Sequence, residues 1–131
     1  LFCGDTLFAG GCGRVFEGDA AMMCESLQRL AVLPESTEIY CAHEYTLANL
    51  AFAAAVEPDN SALQQRIADD TQRRDSNIPT VPSLIALELA TNPFLRCQVP
   101  GVTTHMQQRF DSEPSDPVAV FTAVRGWKDN F

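Results

Sequence analysis

Positive charge is scarce in this chain: nine Lys and Arg stand against seventeen Asp and Glu, for a net charge of −8. So acidic a surface argues against nucleic-acid binding, which needs basic groups to neutralise phosphates. A local basic pocket for a small anion stays open. No apolar run reaches the ~18 residues of a membrane span, so no membrane association is expected. The five cysteines (Cys3, Cys12, Cys24, Cys41 and Cys97) show neither a CxxC pair nor disulfide-framework spacing. Their mostly apolar settings predict reduced, buried thiols in a cytoplasmic protein. Histidine is limited to His43 and His105. The chain also lacks an initial Met and any basic head before an apolar stretch. It therefore reads as a fragment whose upstream partners are missing. Its 131 residues amount to one domain or two small pieces.

Local signals outline the elements. Leu1 to Cys3 reads as a short buried strand, and Phe8 to Gly18 as a glycine-rich loop. Asp19 suits the N-cap of a helix over 20–33, with Met23, Leu27 and Leu30 on one face and Pro34 ending it. Glu38 to Cys41 is a second short strand that delivers Ala42-His43-Glu44 at its C-terminal end. This order suits a layered α/β sheet with sites at strand ends.

From Thr46 the texture becomes helical. Thr46 is placed to cap an alanine-rich helix through Val56. Asn60 or Ser61 caps another, with Leu63 and Ile67 inward and a charged, exposed face through Arg74. Pro79, Pro82, Pro93 and Pro100 make 76–101 a loop with at most a short helix after Ser83. Asp116-Pro117 starts a last helix whose buried stripe is Val120, Phe121 and Val124.

Asp5 and His43 each follow a short apolar strand and begin a loop. Strands ending side by side would aim a carboxylate and an imidazole at one point, a common way to build a metal site. Each residue also has an ordinary alternative, Asp5 as a turn cap and His43 as a hydrogen-bonded structural histidine. Two donors are fewer than the three protein ligands of a catalytic zinc. His105, in a polar and irregular segment, reads as a surface histidine. Arg125 and Lys128 share a face near the end of the last helix, where cations either hook an anion or favour the helix dipole. Arg14 is a possible third cation.

Several segments appear together and in order: Gly4-Asp5-Thr6-Leu7-Phe8, Gly11-Cys12-Gly13-Arg14, Phe16-Glu17-Gly18, Cys41-Ala42-His43-Glu44-Tyr45-Thr46, Asn92-Pro93-Phe94-Leu95-Arg96, and Arg125 through Lys128-Asp129 to Phe131. This series resembles the C-terminal half of glyoxalase II enzymes, hydroxyacylglutathione hydrolases of the metallo-β-lactamase superfamily. The resemblance runs from the first residue to the last.

It implies an α/β fold: residues 1–44 as the C-terminal part of an αββα sandwich, and 45–131 as a mostly α-helical glutathione-binding domain. It further implies two divalent metal ions, zinc with iron or manganese as alternatives, that ionise a shared water for attack on a thioester carbonyl. Asp5 matches the bridging carboxylate, and His43 a ligand of the second metal. Arg14, Phe16, Tyr45, Arg125 and Lys128 match glutathione contacts, with Arg125 and Lys128 on the glycine carboxylate. Phe16 stands where animal-type members carry Tyr, so it keeps the ring without the hydroxyl. The implied reaction takes S-lactoylglutathione to D-lactate and glutathione, within methylglyoxal degradation, in a protein that is a monomer at full length.

The departure is an absence. The family's THxHxDH motif and a further histidine do not occur in this sequence, so Asp5 and His43 are the only ligands present. The chain alone is expected to bind metal weakly, hydrolyse nothing, and expose strand edges around Leu1-Phe2 and Ile39-Tyr40. Two alternatives stay open. One is a non-catalytic remnant binding glutathione or a partner. The other is a persulfide dioxygenase-like relative, disfavoured by the tail from Thr46 to Phe131.

Overall fold

A computed structural model of the chain describes residues 1–110 and 116–131. Its first elements are strands β1 (Phe2–Gly4), β2 (Leu7–Phe8) and β3 (Gly11–Cys12), helix α1 (Ala20–Ala31) and strand β4 (Glu38–Cys41). β1 runs parallel to β4, with Phe2 beside Tyr40 and Gly4 beside Cys41. A two-residue strand, β5 (Ser83–Leu84), lies antiparallel on the other side of β4. Alternation in β4 sets its faces: Ile39 is fully buried while Glu38 and Tyr40 face outward. β4 is thus central, and Ile39 does not lie at an exposed edge as the sequence suggested. The edge strands are β1 and β5, and on β1 Phe2 is 87% exposed and stacks on Tyr40 at 5.3 Å.

The glycine-rich stretch is not all loop. β2 and β3 form an antiparallel hairpin, with Leu7 opposite Cys12 and Phe8 opposite Gly11. Gly10, at φ +71, takes the left-handed conformation of the two-residue turn between them.

Helix α1 starts where the sequence places it, with Asp19 Oδ1 accepting from the Met22 N–H at 2.9 Å. Leu27 and Cys24 are its buried face, and Met23 and Leu30 pack against the same cluster. Helix α2 (Thr46–Val56) follows, but Thr46 is not its cap. Tyr45 holds that position without a side-chain bond, and the buried Thr46 hydroxyl accepts from the Thr80 hydroxyl at 2.7 Å. With Leu50, Phe52, Ala53 and Val56 buried, α2 passes through the interior, so its first turn is enclosed.

Asn60 caps helix α3 (Ser61–Asp75), its Oδ1 accepting from the Leu63 N–H at 3.0 Å. The polar face of α3 is not wholly solvated: Arg66 and Asp70 are buried. After β5, the short helix α4 (Ile85–Thr91) lies within the proline-rich stretch. Helix α5 (Pro100–Phe110) corrects the expectation of an irregular segment around His105. Pro100 opens it at a position where its missing N–H costs nothing, and Val102 and Met106, one turn apart, are fully buried. Helix α6 (Pro117–Asp129) is capped by Asp116, whose Oδ1 accepts from the Ala119 N–H at 2.9 Å. Val120, Phe121 and Val124 are its buried stripe.

Leu7, Leu27 and Ile39 share one apolar cluster with Phe52, Phe94 and Phe121, so residues before and after position 44 pack into the same cluster, beside a smaller one of Leu50, Ala53 and Leu63. Full burial of a side chain such as Phe52 or Phe121 contributes roughly 1.5–3 kcal/mol. All five cysteines are free thiols; Cys12, Cys24 and Cys97 are buried, and Cys3 and Cys41 partly so. Burial pushes the Cys12 and Cys97 thiols up to about 12, which leaves them protonated and unreactive at neutral pH. Among the described residues, no helix is long and apolar enough to cross a membrane.

Candidate functional site

The parallel β1–β4 pair brings two strand ends together. Gly4, at φ +54, turns the chain out of β1, and its carbonyl accepts from the Ala42 N–H at 3.0 Å. Asp5 and His43 then project from adjacent tips, with Oδ1 3.5 Å from Nε2. Both side chains are exposed. The His43 ring stacks on Tyr45 at 5.3 Å and 21°, and Phe8 meets Tyr45 edge-on at 5.3 Å. These rings restrict the imidazole on one side.

The hairpin passes directly behind Asp5. The Gly13 N–H donates to the Thr6 carbonyl at 3.1 Å, and a Cβ at Gly13 would overlap the Asp5 carbonyl oxygen. Buried polar side chains from the helices hold the hairpin there. Glu88 Oε2 accepts from the Gly10 N–H at 2.9 Å, Asn92 Nδ2 donates to the Gly11 carbonyl at 3.0 Å, and Asn49 Nδ2 donates to the Ala9 carbonyl at 3.2 Å. Glu88 is itself paired with buried Arg66 at 2.7 Å. Arg66 also reaches Asp70 at 3.3 Å and the Thr91 hydroxyl at 2.7 Å. Sequence reasoning missed this network. Its available signal was a lone Glu inside the apolar Ile85-Ala86-Leu87-Glu88-Leu89 run, a charge that needs a buried partner.

The three cations differ in setting. Arg14 is exposed on the loop after β3, as is Phe16 at 87%. Arg125 is buried and already engaged: Nε and Nη2 donate to Asp129 Oδ1 at 3.2 and 2.8 Å, and Nη1 donates to the Cys12 carbonyl at 3.1 Å. Its guanidinium also lies 5.1 Å from the Phe94 ring. Lys128 Nζ sits 5.1 Å from the Phe52 ring and 5.7 Å from that of Phe131. Burial, with Arg125 and Arg14 nearby, holds the Lys128 ammonium below the ordinary lysine range.

One cleft of about 580 Å³ has Asp5 and His43 in its wall together with Arg14, Arg125 and Lys128. Phe16 and Tyr45 line the same space. His105 lies outside it, stacked on Trp127 with ring centroids 6.2 Å apart. A carboxylate oxygen beside an imidazole nitrogen suits a divalent ion such as zinc, iron or manganese. The set is only a pair, and among the described residues no group of three or more His, Cys, Asp and Glu could hold a metal. The cleft therefore sets a carboxylate–imidazole pair beside three cationic side chains.

The family model described as "Hydroxyacylglutathione hydrolase C-terminus" matches residues 44–131. That match covers the helical tail, the segment that separates the hydrolase resemblance from the dioxygenase one. A hydroxyacylglutathione hydrolase of Nitrosomonas europaea is 53% identical over all 131 residues of this chain and 50% of its own length. One from Pseudomonas aeruginosa is 55% identical over all of this chain and 51% of its own length. One from Alkalilimnicola ehrlichii is 56% identical over 98% of this chain and 50% of its own. The chain spans about half the length of the curated relatives it matches. With that identity sustained end to end and the family model covering most of its residues, the chain belongs to the hydroxyacylglutathione hydrolase family.

Proposed function

We propose that this chain forms the glutathione-binding half, and part of the metal site, of a cytoplasmic hydrolase that converts S-lactoylglutathione to D-lactate and glutathione. The observation that carries this reading is the shared cleft, with the acid–imidazole pair and the cations in one wall. Asp5 and His43 would help to hold divalent ions, with the remaining ligands from the half of the relatives that this chain does not cover. Such ions, when bound, lower the pKa of water and polarise a carbonyl. Residues 1–44 carry the ligands, and residues 45–131 carry most of the glutathione contacts.

The chain's own side chains orient the substrate. Arg125 and Lys128 take the glycine carboxylate through charge-assisted hydrogen bonds, and Arg14 adds positive potential at the loop. Phe16 and Tyr45 pack against the peptide, Phe16 without a hydroxyl to donate. Water adds to the acyl carbon, the C–S bond breaks, and the glutathione sulfur leaves with the bonding electrons. The full-length form is proposed to act as a monomer.

Two donors alone also suit a glutathione-binding chain without turnover, and one experiment separates the readings. The purified chain with added zinc is expected to hydrolyse no S-lactoylglutathione. Mixing it with the N-terminal half of the Nitrosomonas europaea relative is expected to produce turnover that Asp5→Asn abolishes. Turnover by the chain alone, or a reconstituted mixture indifferent to Asp5→Asn, contradicts the assignment.

Lys128 adds a pH dependence. A lysine with a lowered pKa is charged below that value and neutral above it, so affinity for a carboxylate falls as pH rises through it. Glutathione affinity of the chain is therefore expected to decline at a lower pH than an ordinary lysine would allow. Lys128→Arg, permanently charged, removes that decline. Calorimetric titrations across a pH series compare the two; superimposable profiles show that Lys128 is not the group.

A further inference from the structure

We propose that Asp129 is a positioning residue: it fixes the Arg125 guanidinium so that Arg125 and Lys128 meet one carboxylate at the cleft. This rests on the reading of the cleft as a carboxylate-binding site. Asp129 follows Arg125 by one turn of α6, and its Oδ1 alone accepts from both Nε and Nη2. The Cys12 carbonyl takes Nη1 from the hairpin side, and Phe94 lies against the guanidinium. The guanidinium plane is thus fixed before any ligand arrives.

What stays free follows from the donor inventory. Arg carries one N–H on Nε and two on each terminal nitrogen, in a rigid planar fork. Nε and one N–H of Nη2 are spent on Asp129. Nη1 spends one on the Cys12 carbonyl and otherwise has only the Cys12 sulfur, 3.7 Å away and a weak acceptor. The uncommitted donors are therefore on the terminal nitrogens, and Arg125 lines the cleft with Lys128.

The charge balance points the same way. The Arg125 side chain is 8% exposed, and without Asp129 its charge would be buried against a carbonyl and a ring. Asp129, at 44% exposed, is a water-accessible counter-ion that keeps the buried cation in place while the cleft is empty. A competing role, Asp129 as an internal mimic that the ligand must displace, predicts the opposite sign for its removal.

The test uses the chain, with ¹⁵N spectra of the Arg125 side chain and titrations with N-acetylglycine and with glutathione. In the unsubstituted chain the Arg125 Nε–H is expected to give a sharp, exchange-protected signal that both ligands shift. Asp129→Ala should abolish that protection and weaken both affinities about tenfold, the scale of one charge-assisted hydrogen bond. Asp129→Asn keeps an accepting oxygen without the charge and should recover only part of the loss, to about threefold below the unsubstituted chain. Tighter binding by Asp129→Ala overturns the proposal in favour of the competing role; unchanged binding, or a protected Arg125 signal in that variant, overturns it outright. If N-acetylglycine binds and glutathione does not, the glutathione reading fails while the positioning role stands. If neither ligand shifts Arg125, the positioning role fails too.

Discussion

Replacing Glu88 with alanine is expected to cost about 3–5 kcal/mol, because it strands a buried guanidinium. Arg66 is 3% exposed, and Glu88, fully buried, is its closest carboxylate at 2.7 Å. Asp70, 3.3 Å from Nε, is a poorer counter-ion. Burial raises its pKa, and Arg66 only partly offsets that rise. The same substitution orphans the Gly10 N–H and removes one acceptor of the Asn92 amide, both of which Glu88 Oε2 accepts from at 2.9 Å, leaving Asn92 its bond to the Gly11 carbonyl. A loss of that size is a large share of the roughly 5–15 kcal/mol that holds a domain folded. Denaturant titration measures it, and the Gly10 amide should lose its hydrogen-exchange protection as well. The double variant Arg66→Met with Glu88→Leu removes both charges and is expected to be less destabilised than Glu88→Ala. A cost below about 1 kcal/mol for Glu88→Ala, no more than an ordinary hydrogen bond, shows that the pair does not hold the hairpin.

Gly13→Ala is expected to act on stability and on the candidate metal pair together. An added Cβ at Gly13 would overlap the Asp5 carbonyl oxygen, and backbone cannot yield there as a flexible side chain can. The expected loss is about 1–3 kcal/mol, the usual scale of overpacking, because the strand tip bearing Asp5 must move. Movement of that tip also alters the 3.5 Å spacing from Asp5 to His43. The His43 ring signals of the variant should then respond more weakly to added zinc. Gly126→Ala is the control: nothing lies within 4 Å of its Cβ position, and it sits inside α6. That change should stabilise the chain by up to about 1 kcal/mol through helix propensity alone. If Gly13→Ala matches Gly126→Ala in both measurements, the hairpin does not support Asp5.

The contrast between these glycines illustrates how much the sequence could reveal. Both are plain in the residue string, yet only tertiary packing makes one of them indispensable. Caps behaved differently. Asp19, Asn60 and Asp116 each accept from an N–H three residues on, a short-range relation that pattern reading detects well. Thr46 does not cap α2, because the buried Thr80 hydroxyl, 34 residues away, donates to its side chain. His105 lies on a helix rather than in an irregular segment because Pro100 opens α5 instead of ending in loop.

By itself, the sequence determined the capped starts of α1, α3 and α6, the strands β1 and β4, and the residues able to act as ligands or cations. These depend on neighbours in the chain and on side-chain chemistry. Tertiary structure alone decided that Asp5 and His43 come within 3.5 Å, that Glu88 grips Gly10 across 78 positions, and that Arg125 is tied to Cys12 across 113. The physical reason is that a buried charge takes whatever partner the fold brings to it, and no local pattern encodes that partner.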